Sequence, residues 1–68
     1  MTNPIPQQRL LRLRDVLHLV GLSKSTVYAM IRRGEFPRPV HLGCMATWVE
    51  SEIGTWIASR IEERDQAA

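Results

Sequence analysis

The sequence predicts a mainly α fold of three helices with a small two-stranded β-hairpin, its first two helices joined as a helix-turn-helix. Three observations predict it. A segment from Gly21 to Gly34 has an apolar stripe at helical spacing, a serine start signal and a glycine stop. Striped segments also lie before it and at the end of the chain. Between the second and third segments, Pro37 and Pro39 followed by an alternation around Gly43 break the helical period.

With 68 residues the chain makes one domain, and a domain of that size buries only roughly 60% of its unfolded surface. Hydrophobic residues are 44% and charged residues 24%, the balance of a globular domain rather than a disordered one. No apolar run approaches the roughly 20 residues that span a bilayer. Met1 to Gln8 lacks the basic-then-apolar layout of a signal peptide. The expected location is the cytoplasm, at the nucleoid if the partner is DNA. One cysteine, Cys44, cannot form an internal disulfide.

In chain order, Met1 to Gln8, with Pro4 and Pro6, reads as a flexible arm, followed by a domain over residues 9–62 and a frayed tail over 63–68. Leu10-Leu11-Arg12-Leu13 fits either a brief strand or the lead-in to the first helix. Arg14 to Val20 places Val16, Leu17 and Val20 on one stripe, with Asp15 where the helix dipole favours a carboxylate. Gly21 ends that helix, and Leu22 is the expected apolar plug of the turn.

Ser23 caps the second helix, residues 24–33. Val27, Met30 and Ile31 face the core, while Lys24, Ser25, Tyr28, Ala29 and Arg32 project elsewhere. Residues 40–48 form the predicted hairpin, with Gly43 in its turn and Phe36, Val40, Leu42 and Trp48 as inward anchors. Glu50-Ser51-Glu52 opens the last helix, whose core stripe is Ile53, Trp56, Ile57 and Ile61. Beyond Ile61 that stripe is lost and the helix is expected to fray.

A net charge of +2 is mildly basic, but its distribution is uneven. Arg9, Arg12 and Arg14 cluster near the start, and Lys24, Arg32, Arg33 and Arg38 surround the second helix. Glu50, Glu52, Glu62, Glu63 and Asp65 lie in the last third. That layout orients a domain on a polyanion, and it is equally what a solvated mixed surface gives.

Catalysis finds little footing. His18 and His41 are the near-neutral bases, and His18 sits among apolar neighbours like a structural histidine. His41 and Cys44 have ligand-like spacing, but a structural zinc site needs four N or S ligands and the chain has three such side chains. No glycine-rich phosphate loop occurs, and Glu50 with Glu52 is a helix start. No enzyme activity, cofactor or metal is expected.

Double-stranded DNA is the expected partner. Lys24, Ser25, Thr26, Tyr28, Arg32 and Arg33 lie on the second helix, which matches a recognition helix in length and caps. Hydroxyls and the phenol can reach phosphates or base edges, and Lys24 or Arg32 can pair with phosphate or guanine. Arg33 also suits the helix end, where cations are favourable. Arg38 admits both a structural and a phosphate-contacting reading; Arg12 and Arg14 add charge from the front. Trp48 and Trp56 fall on core stripes and read as packing residues.

Ser23-Lys24-Ser25-Thr26-Val27-Tyr28, Gly34-Glu35-Phe36-Pro37-Arg38-Pro39 and Trp48-Val49-Glu50-Ser51-Glu52-Ile53, continuing to Trp56-Ile57, together resemble the AlpA family of phage-type transcriptional regulators over roughly residues 9 to 61. The resemblance implies a winged helix-turn-helix like that of the mercury-resistance-type (MerR-like) regulators and phage excisionases. It implies DNA binding by helix two with the hairpin as wing, and a role in gene control of a prophage or mobile element or in excision. By that match Ser23 is the cap, Ser25, Thr26 and Tyr28 belong to the recognition helix, and residues 34–37 are the exit turn. Relatives often carry basic residues at the hairpin tip and directly after the tyrosine, where Met45 and Ala29 stand here.

The leading expectation is a sequence-specific transcriptional regulator, monomeric in dilute solution and cooperative on DNA, with an integrase or RNA polymerase as candidate protein partner. The alternatives are an architectural excisionase assisting an integrase, and a protein-interaction adaptor using Tyr28, Met45 and the arm.

Overall fold

The computed structural model describes residues 8–67. The elements run β1 (Leu10–Arg12), α1 (Leu13–Val20), α2 (Lys24–Arg32), β2 (Val40–Leu42), β3 (Met45–Val49) and α3 (Glu50–Ala67). The expected three helices and hairpin are present, mainly helical and consistent with a winged helix-turn-helix. The arm expected over residues 1–8 lies outside the described residues but for Gln8.

Leu10-Leu11-Arg12, open between strand and lead-in, is a strand. It pairs antiparallel with β3, Leu11 opposite Trp48 and Arg12 opposite Thr47, so the hairpin becomes a sheet of order β1-β3-β2. A two-stranded hairpin is marginal alone, and a third strand answers that need. The Glu50 amide extends the ladder by donating to the Arg9 carbonyl at 2.7 Å.

Pairing register also assigns each side chain to one face of the sheet. Residues directly opposite one another share a sheet face. Leu11 lies opposite Trp48 and both are buried; Val40 and Leu42 lie opposite Thr47 and Met45, on the other face. β2 is an edge strand and all three of its residues are exposed, His41 on the Trp48 face as well as Val40 and Leu42, even though Thr47 opposite Val40 is buried. This corrects the expected role of Val40 and Leu42 as anchors, whereas Phe36 and Trp48 are buried as expected.

Helix ends follow the sequence signals closely. Gly21, at φ 70°, closes α1 with its amide on the Leu17 carbonyl at 2.8 Å. Asp15 accepts the Arg12 amide at 3.4 Å, the return half of a capping box whose other half an arginine side chain, lacking any acceptor, cannot supply.

The core gathers Leu11, Val16, Val27, Phe36, Trp48 and Ile53, with Leu17, Val20 and Leu22 half-buried against them. Leu22 thus fills the turn between α1 and α2. On α3, Ile53 is buried and Trp56 and Ile57 are half-buried, but from Ala58 to Ala67 every residue is exposed, Ile61 included. Ile61 lies one turn too far along to reach the core. The helix nonetheless remains regular to Ala67, well past Ile61, with Arg60 paired to Glu63 at 2.8 Å three residues on.

Candidate nucleic-acid interface

The α2 helix is defined sharply at both ends. At its start the Ser23 hydroxyl accepts the Thr26 amide at 3.3 Å and donates to the Thr26 hydroxyl at 2.9 Å, while Ser25 Oγ lies 3.4 Å from Ser23 Oγ. At its end the Gly34 amide bonds the Ile31 carbonyl at 3.0 Å and the Glu35 amide bonds the Met30 carbonyl at 2.8 Å. Those two bonds, with Gly34 at φ 74°, make a Schellman closure.

At about 100° per residue, Val27, Met30 and Ile31 define one side of α2 and Ser25, Ala29 and Arg32 the opposite one. Lys24, Ser25, Thr26, Arg32 and Arg33 are all exposed, and the helix contains no acidic residue. Nine residues make a cylinder about 14 Å long, short enough to enter a major groove about 12 Å wide end-on or obliquely.

Tyr28 departs from the outward placement expected of it. It sits about 100° from Val27, on the shoulder of the core stripe, and is half-buried with its ring edge-on to Trp48 at 6.3 Å between centroids. It belongs in part to the core. Thr26 also serves two purposes, since its hydroxyl is held in the cap.

The remaining basic residues differ in their surroundings. Arg33 is paired with Glu35 at 3.1 Å. Arg14 is exposed in a shallow hollow shared with Arg9, Asp15, His18 and Glu50, where Arg9 and Glu50 pair at 3.4 Å. Arg12 projects from β1 on the face opposite Leu11, and Arg38 borders an open groove with Ser51, Glu52 and Trp56. Among the described residues, Lys24, Arg32, Arg12, Arg14 and Arg38 form no ion pair. The best-populated positive surface is α2, which carries two cations without an ion pair among the described residues, Lys24 and Arg32, with Glu35 only beyond its far end.

The wing is different in character. Gly43 at φ 63° and Cys44 form the two-residue β2–β3 turn, matching the type II′ requirement for glycine at its first central position. Residues 40–48 contain no lysine or arginine. His41 and Cys44 are both exposed, and among the described residues no group of His, Cys, Asp and Glu is placed to hold a metal ion. Nor, among those residues, is any helix long and apolar enough to cross a membrane.

Sequence reasoning placed both tryptophans as packing residues and missed their N–H groups. Trp48 Nε1 donates to the Pro37 carbonyl at 3.0 Å, and Trp56 Nε1 to the Glu35 carbonyl at 2.9 Å. For Trp48 the available signal was that a buried indole N–H finds an acceptor; the Trp56 bond, at the exposed surface, carried no such signal.

Residues 9–61 match the family described as prophage CP4-57 regulatory protein (AlpA). The chain is also 51% identical over 61 residues to an uncharacterized protein, ORF88, of Enterobacteria phage P4, an alignment covering 88% of this chain and 69% of that one. No solved structure matches it. The matched span contains β1, the helix-turn-helix, the wing and the core-forming half of α3, so the chain belongs to the AlpA family of prophage regulatory proteins.

Proposed function

We propose that this protein is a sequence-specific duplex DNA binder that regulates transcription of prophage or mobile-element genes. In this reading α2 enters a major groove, and the hairpin over residues 40–48 lies beside it as a wing. The observation that carries it is the exposed, acid-free surface of α2, with Ser25 and Arg32 opposite the core stripe and Lys24 and Thr26 exposed in the first turn, on a helix fixed at both ends. Short hydroxyls suit phosphates and base edges, and the two cations suit phosphate or guanine.

With no cation in the hairpin, phosphate attraction falls to α2, to Arg38 and to Arg12 and Arg14. The wing then contributes shape more than charge. Arg33 contributes less, because Glu35 neutralises it locally. The protein acts as a monomer in dilute solution, in the cytoplasm at the nucleoid, with an integrase or RNA polymerase as its protein partner on DNA.

Selection of bound duplexes from a random pool, followed by titration of the enriched sequence at several salt concentrations, tests this directly. Enrichment of one motif, with affinity falling steeply as salt rises, supports sequence-specific reading. Binding without a motif, together with an induced bend, supports an architectural excision role instead. A protein that binds no duplex even at low salt is an adaptor, and the reading fails.

A further inference from the structure

The short connection between α2 and β2, residues 34–39, is fastened at successive points. The Gly34 and Glu35 amides close onto the end of α2. Trp56 on α3 donates its indole N–H to the Glu35 carbonyl, Phe36 is buried edge-on against Trp56 with centroids 4.7 Å apart, and Trp48 on β3 donates to the Pro37 carbonyl. Pro37 and Pro39 restrict φ on both sides of Arg38. Surface connections ordinarily leave such carbonyls to water and stay mobile. Here the backbone is held while Arg38 itself is exposed and forms no ion pair among the described residues.

Building on the DNA-binding reading, we propose that Trp56 is a positioning residue: it holds residues 34–39 so that Arg38 meets a DNA phosphate at a fixed offset from α2. Arg38 and Trp56 border the same open groove, so the tie acts close to the side chain it serves. A prearranged arginine loses less freedom when it binds, and releasing it weakens binding by roughly two- to tenfold. The hydrogen bond lies at the exposed surface rather than deep in the core, so Trp56 can lose it without the protein losing its centre.

The test compares Trp56→Phe, Arg38→Ala and the double variant, measuring affinity for the selected duplex at several salt concentrations. Trp56→Phe retains an aromatic ring and removes the indole N–H. It is expected to weaken binding roughly two- to tenfold and to flatten the dependence of log affinity on log salt by up to about 0.9, the contribution of one phosphate contact. Arg38→Ala should flatten it by the same amount, and the double variant should bind no more weakly than Arg38→Ala.

A merely structural role for Trp56 leaves the salt dependence alone and adds its loss to that of Arg38→Ala; either result overturns the proposal. If Trp56→Phe does not fold, Pro39→Gly loosens the same connection without touching an indole and is held to the same two expectations. An unchanged salt dependence for Arg38→Ala also overturns it, whatever the other variants do. Failure of the unsubstituted protein to bind any duplex rejects the DNA reading itself, whereas tight binding with additive losses rejects this inference alone.

Discussion

Tyr28 stands edge-on to Trp48, their ring centroids 6.3 Å apart and their planes at 70°. A residue of the proposed reading helix is thereby a pillar of the core. Aromatic pairs in this geometry add roughly 0.5–1.5 kcal/mol to what burial alone contributes. Tyr28→Ala is expected to cost about 1–3 kcal/mol of stability, lowering Tm by about 4–8 °C for each kcal/mol. Tyr28→Phe keeps the ring and should unfold close to the parent. Thermal unfolding of both variants checks this, and only Tyr28→Phe isolates any DNA contact by the phenol.

Gly34 offers a test of backbone geometry alone. A Cβ added there meets no atom within 4 Å, so space is not the obstacle; φ of 74° is. Left-handed backbone costs an L-residue roughly 1–2 kcal/mol. Gly34→Ala should lower stability by about that amount in urea unfolding, with the m-value unchanged because the exposed surface is the same.

Trp48→Phe should be more costly than the same change at the half-buried Trp56. Trp48 is fully buried, and the change both leaves the Pro37 carbonyl without its donor and opens space in the core. About 2–4 kcal/mol is the expected loss, a large share of the stability of so small a domain. Equal stability losses at 48 and 56 in parallel unfolding experiments would contradict this.

Local signals made most of the fold legible. Ser23, Gly21 and Gly34 mark helix ends through their own backbone chemistry, so they can be read without knowing what lies nearby. Leu10-Leu11-Arg12 could not be assigned in that way, because its strand exists only through pairing with Trp48 and Thr47 far along the chain. Val40 and Leu42 are exposed because β2 lies at the edge of the sheet, with all three of its residues open, and that position too is set by non-local pairing. Alternation identifies the two faces of a strand but not which one is buried. Of the candidate interface, Ser25 and Arg32 follow from helical spacing and Lys24 from its place in the first turn, whereas the packing of Tyr28 depends on where Trp48 sits. Arg33 was readable as a helix-end cation; its pairing with Glu35 depends on the turn imposed by Gly34.

That pairing yields a prediction of the opposite sign from the usual loss of function. Arg33 and Glu35 are both well exposed and lie 3.1 Å apart, so the bond contributes little to stability. Glu35→Gln preserves the backbone carbonyl that accepts the Trp56 indole and removes one carboxylate beside the proposed DNA face. Thermal unfolding should stay within about 0.5 kcal/mol of the parent. Affinity for the selected duplex should rise by a few-fold and its salt dependence should steepen by up to about 0.9, because Arg33 becomes available to a phosphate. Lys24→Ala and Arg32→Ala should flatten that dependence by about 0.9 each with similarly small effects on unfolding. Arg64→Ala, on the outlying end of α3 and paired with Asp65, should change neither quantity. An affinity that falls in Glu35→Gln would place its side chain in the interface as a hydrogen-bond acceptor and remove Arg33 from the phosphate-contacting set.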